Sequence, residues 1–243
     1  MKTQLAIDRG NTLTKLSVSD GKNLIEIRTS DDENLANEIA KLLSSYFIEN
    51  TIFSDVRDGY GNEEIKKLLP ERLVLVSHTL KFPFSISYTT PESLGHDRLA
   101  NMAGACAFRP GRNVLVIDFG TCTTYSLLLE DTFAGGSISP GRAMRFKALH
   151  HFTGKLPLIE PTSEQKNLLG ISTAGSLQSG VDHAIVLETD AMISAYRNQY
   201  NLLEVIITGG DYSFFENSLK SPTFAEPQLT QIGLHEILRQ NIY

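Results

Sequence analysis

The chain has 243 residues, 41% of them hydrophobic and 21% charged, a balance that argues for a folded protein and against extensive disorder. Its 22 basic and 28 acidic residues give a formal net charge of −6, with no basic run of five or more. Nucleic acid and anionic membranes are therefore poor main partners, and an anionic substrate must be met by a few local cations and backbone N–H groups. The longest apolar stretches, such as residues 114–117, fall far short of the roughly 20 residues of a membrane helix.

Residues 1–3 lead almost directly into a strand-like segment, without a signal-peptide pattern. That strand, residues 4–7, runs into Asp8-Arg9-Gly10-Asn11-Thr12. Residues 15–19 alternate polar and apolar, Asp20-Gly21 signals a hairpin, and residues 24–27 form a third strand. Leu35, Ile39, Leu42 and Leu43 recur at helical spacing within residues 31–46. Residues 51–53 and 73–76 read as buried strands with a short helix, 62–69, between them. Residues 98–108 are Ala-rich and helix-prone, ended by Arg109-Pro110-Gly111.

The pattern then starts again. Residues 114–117 lead into Asp118-Phe119-Gly120-Thr121, followed by a strand, 123–129, and a turn at Glu130-Asp131. Residues 135–141 read as a glycine-rich connection, 142–152 as a helix and 154–170 as a loop-rich insertion with Pro157 and Pro161. A long helix follows over 173–200, then a strand, 205–207, running into Thr208-Gly209-Gly210, and a last helix over 229–240. The repeated unit, a strand, an Asp-x-Gly turn and a second strand, predicts an internal duplication. We expect two α/β domains, residues 1–111 and 112–243, facing each other across a cleft. Cys106 and Cys122 form no CxxC pair and read as reduced, buried thiols of a cytoplasmic protein.

The two turns have the chemistry of a phosphate clamp. A Gly there removes the Cβ, so backbone N–H groups approach and donate to phosphate oxygens, and a Thr hydroxyl adds a donor. The Asp at the strand end repels phosphate but can hold a hydrated Mg²⁺ or another cation. Either turn alone is also compatible with an ordinary hairpin, since Asp, Gly and Asn are turn residues; two copies in matching positions favour the clamp. Gly209 and Gly210 would let a nucleoside base lie flat against the backbone. Neither GxxxxGK[ST] nor GxGxxG is present.

These three elements, in this order, resemble those of the acetate and sugar kinase, heat-shock protein 70 and actin superfamily. Between them, Tyr88-Thr89-Thr90-Pro91-Glu92-Ser93-Leu94-Gly95-His96-Asp97-Arg98 is similar to a segment of type III pantothenate kinases. Gly135-Gly136-x-Ile138-x-Pro140-Gly141, Leu156-Pro157, Thr173-x-x-Ser176-x-x-Ser179-Gly180 and Pro227-x-Leu229-x-x-x-Gly233-Leu234 are similar to further landmarks of that family. The resemblance spans essentially the whole chain. It implies two ribonuclease H-like, actin-like domains and phosphorylation of pantothenate by ATP, the first step towards coenzyme A. It also implies Asp97 as general base, with Tyr88, Gly95, His96, Asp97, Arg98 and Thr173 around pantothenate. ATP phosphates would lie on Asp8, Arg9, Gly10, Asn11, Thr12, Leu13, Thr14, Lys15 and Thr121, with the base near Gly209 and Gly210. Asp8 would hold Mg²⁺ through water and Asp118 a monovalent cation, K⁺ or NH₄⁺, in a homodimer.

Four positions depart from the family pattern: Arg9 where an aliphatic residue is usual, Cys122 for Ala, Ser126 for an acid, and Ala184 for Gly. Asp97 also reads as a helix N-cap, Thr173 as another, and Arg98 as a surface ion pair. Adjacent His150 and His151 point about 100° apart on a helix and do not chelate one metal easily. A second functional reading is a catalytically weak ATP-binding regulatory or accessory protein on the same fold.

Overall fold

The computed structural model describes residues 3–55, 63–70, 72–164 and 167–242; Asn62, at the start of the expected short helix, lies outside them. In chain order the elements are β1 (Thr3–Arg9), β2 (Thr14–Ser19), β3 (Leu24–Ser30), α1 (Leu35–Ser45), β4 (Ile48–Asp55), α2 (Glu63–Leu68), β5 (Leu73–Leu75) and β6 (Ser85–Ile86). A 3-10 turn, Pro91–Ser93, precedes α3 (His96–Phe108). Then come β7 (Val114–Phe119), β8 (Cys122–Leu129), β9 (Thr132–Pro140), α4 (Arg142–His151), α5 (Thr173–Gln199), β10 (Glu204–Thr208), α6 (Tyr212–Glu216), β11 (Phe224–Ala225) and α7 (Leu229–Asn241).

The chain forms two compact units. The first comprises Met1–Gly111, Asp131–Phe133 and Gln228–Tyr243; the second comprises Arg112–Glu130 and Ala134–Pro227. The first unit holds a sheet of order β3-β2-β1-β4-β5, with β2 antiparallel to β1 and β3, and β4 parallel to β1 and β5. The second holds the strands β9-β8-β7-β10-β11 of a six-stranded sheet whose remaining strand, β6, pairs with the start of β9, with β8 antiparallel to β7 and β10 parallel to both β7 and β11. Strand order and sense thus repeat, and each sheet puts its Asp-x-Gly turn between the central strand and its antiparallel neighbour.

Each unit closes its own core. In the first, Leu5, Ile7, Leu16 and Val18 from the sheet meet Leu35, Ile39 and Leu42 from α1, whose i, i+4, i+7 spacing makes one apolar face. In the second, Leu115, Ile117, Tyr125 and Leu127 meet Phe146 of α4 and Leu177, Val181, Ile185 and Ile193 of α5. Residues 135–140 are not a connection as expected but most of strand β9, which alternates buried and open positions through Phe133 and Gly135. Two glycines, one at φ +124°, hide the side-chain signal that marks a strand elsewhere.

The last helix packs on α3 and on β1, β2 and β4, so it belongs with the first unit. The packing is backbone on backbone. A Cβ on Gly233 would lie 1.7 Å from the Ala100 carbonyl oxygen, and one on Gly104 would lie 2.5 Å from that of Leu229. Beneath α7, the Ser17 hydroxyl donates to Gln231 Oε1 at 2.6 Å and lies 2.9 Å from His235 Nε2. The His235 Nδ1 is buried with no hydrogen-bond partner, so a second ring proton would find no acceptor.

Burial accordingly pulls the His235 pKa down to about 4, with the positive charge of Arg239 acting in the same direction. The unfolded chain protonates this ring near pH 6.5 and the folded chain does not. Stability should therefore fall as pH drops from about 6.5 towards 4, by up to roughly 3 kcal/mol. Urea unfolding across that range checks this: His235→Gln, which cannot titrate, should flatten the corresponding part of the profile.

Candidate active site

The first turn is built by β1 and β2. Their register sets Arg9 opposite Thr14 and Asp8 opposite Lys15, which brings a carboxylate and an ammonium to one face of the sheet. The Gly10 N–H donates to the Leu13 carbonyl at 3.1 Å, closing a turn in which Asn11, Thr12 and Leu13 are exposed. Arg9 braces it from behind. Its Nε and Nη2 donate to Asp32 Oδ1, both at 3.3 Å, and its Nη1 donates to Asp55 Oδ2 at 3.4 Å. The departure from the family pattern at Arg9 thus ties the turn to the ends of β3 and β4.

The second turn is one residue shorter. Asp118 stands opposite Thr124 and Phe119 opposite Thr123, and the Gly120 N–H donates to the Cys122 carbonyl at 3.1 Å. Two close approaches surround it. Gly209, at φ +98°, sits where a Cβ would lie 2.4 Å from Asp118 Oδ1, and Gly141 sits where one would lie 2.4 Å from the carbonyl oxygens of Gly120 and Thr121. Gly141 is the N-cap of α4, so that helix starts directly against the turn with the positive end of its dipole. Asp118, Thr121, Gly209 and Gly210 are therefore gathered at one end of the second sheet. Carboxylate and carbonyl oxygens are hard donors and would suit a potassium-like or magnesium-like cation better than a thiolate-loving metal, with the Asp118 charge set against the positive end of α4.

Arg142, the first residue of α4, locks this arrangement. Its Nε and Nη2 fork onto Asp182 at 2.7 and 2.9 Å, and Nη2 also donates to the Thr162 carbonyl at 2.8 Å. The guanidinium carbon lies 3.5 Å over the Phe214 ring. Asp211, just after the glycine pair, has its carboxyl pushed above the usual range by burial, against the pull of Arg142. Sequence reasoning passed over Arg142, Asp182 and Asp211; the sole local signal was an Arg directly after the Gly-Gly-x-Ile-x-Pro-Gly run.

The expected substrate groups of the first unit come together around the start of α3. Gly95 is the N-cap, so Asp97 lies inside the first turn and is not the cap. Its carboxylate folds back over Gly95, where a Cβ would lie 2.4 Å from Oδ1, and it accepts the Arg98 N–H at 2.8 Å. Arg98 is 4% exposed, a buried cation and not a surface one. Its guanidinium carbon lies 5.9 Å from the Tyr88 ring centroid and 5.3 Å from that of Phe133. His96 opens the helix beside them. In the second unit Thr173 opens α5, but the cap is Ser172, whose hydroxyl accepts the Gly175 N–H at 3.1 Å. The exposed Thr173 side chain is left for another partner. His150 Nδ1 is engaged by the Leu156 carbonyl at 2.7 Å.

Two sheets of one strand order, each opened by an Asp-x-Gly turn, define the actin-like, ribonuclease H-like class to which many ATP-dependent small-molecule kinases belong. Solved structures agree on the fold. One described as a Baf family transcriptional activator from Campylobacter jejuni aligns with TM-score 0.62 over 97% of both chains at 19% identity. The polyphosphate/ATP-glucomannokinase from an Arthrobacter strain aligns with TM-score 0.52 over 99% of this chain and all of that one, at 16% identity.

Within that class the chain belongs to the type III pantothenate kinase family, whose model matches residues 4–195. The type III pantothenate kinase of Christiangramia forsetii is 37% identical over 239 residues, 98% of each chain. That of Cytophaga hutchinsonii is 47% identical over 169 residues, 69% of this chain and 71% of its own. The chain is accordingly a phosphotransferase. The accessory-protein reading draws no support from these matches, because the Campylobacter likeness speaks to fold alone.

Gly209→Ala tests the second turn. It demands a left-handed backbone from Ala and drives a methyl into Asp118 and Phe119, so stability should fall by roughly 1–3 kcal/mol. Denaturant unfolding of the variant measures this; an unchanged midpoint would mean that the 208–210 turn does not rest on Asp118.

Proposed function

We propose that this chain transfers the γ-phosphoryl group of ATP to the primary hydroxyl of pantothenate, giving 4'-phosphopantothenate, with Asp97 as the general base. The observation that carries the reading is the joint placement of Asp97, the buried Arg98 and Tyr88 at the start of one helix, in a chain of this family. Phosphoryl transfer asks the protein chiefly for positioning and charge neutralisation. Asp97 accepts the hydroxyl proton as the oxygen attacks phosphorus. Arg98 receives the pantothenate carboxylate as a charge-assisted pair, and Tyr88, Gly95, His96 and Thr173 complete the pocket.

On the nucleotide side, the exposed turn of residues 10–13, with Asp8, Arg9, Thr14, Lys15 and Thr121, takes the phosphates, and Gly209 and Gly210 take the base. Mg²⁺ bound with ATP, held at Asp8 through water, supplies the charge neutralisation that Lys15 alone does not. Asp118 holds a weakly hydrated monovalent cation. The protein works as a cytoplasmic homodimer. An apolar hollow of about 590 Å³ between α4 and α5, lined by Ala148, Leu149, Phe152, Leu177 and Val181, supports that reading. So do Phe152 and Ile171, 82% and 95% exposed, since such a surface favours a partner over water.

Asp97→Asn keeps the shape and removes the base. Its kcat should fall by about 10²–10⁴ while ATP binding by calorimetry persists; near-normal turnover would reduce Asp97 to a structural carboxylate.

Potassium or ammonium should activate the wild-type enzyme and sodium should not, and the active species in sedimentation should be a dimer. Equal rates in sodium and potassium would remove the cation from Asp118, and a fully active monomer would remove the dimer.

A further inference from the structure

Residues 131–133 follow β8 in the chain yet belong to the first unit. They enter it as a short parallel ladder on β6. The Ser85 N–H donates to the Asp131 carbonyl at 2.8 Å and the Ser87 N–H to the Phe133 carbonyl at 3.0 Å. Tyr88 is the next residue after that ladder, so its backbone is placed by Phe133. The Phe133 side chain is 0% exposed and stacks on the Tyr88 ring at 5.9 Å between centroids with 24° between planes. The Arg98 guanidinium lies against the same two rings, nearer to Phe133 than to Tyr88. One buried residue therefore touches both the side chain to which the proposed function gives the substrate's carboxylate and a ring that helps complete the pocket around it.

We infer that Phe133 is a positioning residue for substrate capture, aiming the Arg98 guanidinium and the Tyr88 ring while touching no substrate itself. The inference rests on the assignment of Arg98 to the pantothenate carboxylate. Arg carries several rotatable bonds, and a guanidinium binds a carboxylate strongly only when its planar fork is held in the right plane. The face of an aromatic ring holds it there by cation–π attraction and keeps water from one side of it. A branched aliphatic residue fills much of the space but has no such face. Removing the ring should thus weaken the ground state and the transition state alike, a loss seen in KM for pantothenate and not in kcat.

Steady-state kinetics on Phe133→Leu test this. KM for pantothenate should rise about 5–20-fold, with kcat and KM for ATP within about threefold of wild type. Phe133→Met, which keeps the volume without the ring, should do the same and serves if the Leu variant does not fold. In an Arg98→Lys background, where the planar fork is already gone, Phe133→Met should add less than about twofold, because the two side chains act through one contact. An unchanged pantothenate KM in a folded Phe133 variant would overturn the inference, as would a parallel rise in both KM values, the mark of a general loosening. Arg98→Lys with a normal pantothenate KM would instead remove Arg98 from the substrate, and the role of Phe133 with it.

Discussion

The first unit depends on the contact between α3 and α7. Two helices usually keep their axes 8–10 Å apart because side chains stand between them. Here Gly104 and Gly233 leave room for no Cβ, and the backbones meet. That closeness is possible because α3 is an Ala-Gly helix over its middle, with Ala100, Ala103 and Ala105 all buried. It fixes α3 along its length against a helix that is itself seated on β1, β2 and β4. The N-terminal turn of α3, which presents Asp97 and Arg98, thus continues a helix anchored along its middle, with the Tyr88 ring packed on Arg98 at its start.

The repeated strand order conceals a chemical asymmetry. The first turn is longer by one residue, has Lys15 opposite its Asp and is braced by an Arg that bridges two carboxylates. The second has Thr124 opposite its Asp, and close glycine contacts take the place of charged braces. The proposed phosphate site is the first arrangement, where a cation stands beside the carboxylate. The proposed monovalent cation falls to the second, where oxygen atoms gather and Thr124, not a basic side chain, stands opposite the Asp. Ser126, the departure that left an expected acid missing, lies buried on β8 opposite Val116, two residues into the strand from Thr124. Its position there is a strand-interior one, where an unpaired charge would be costly.

Much of this was legible in the sequence because it is local. Both Asp-x-Gly hairpins, the helices at 35–45, 96–108 and 173–199, and the breaker after Phe108 follow from periodicity and turn chemistry at short range. Strand β9 was not legible, since its glycines carry no apolar signal, and neither was the part played by Phe133, which depends on a parallel pairing between β6 and a segment 47 positions away. The cap of α5 was read one residue late, at Thr173 instead of Ser172, for a different reason: both side chains can cap, and the backbone decides which one does. Arg142 and Asp182 are separated by 40 positions, and no spacing rule pairs an Arg with an Asp at such range. The family resemblance reached further than the physics of the sequence, but it too was silent on which residues support the ones it named.

The seat of α7 also has a consequence for how the protein is made. Chains emerge from the ribosome N-terminus first and fold by units as they appear. The second unit occupies one nearly unbroken stretch and has all its strands once residue 225 is out. The first unit lacks α7 until residues 229–241 are out, after every strand of the second unit, and until then the Ala-Gly face of α3 is bare. The unit whose strands emerge ahead of the other's is therefore completed after it.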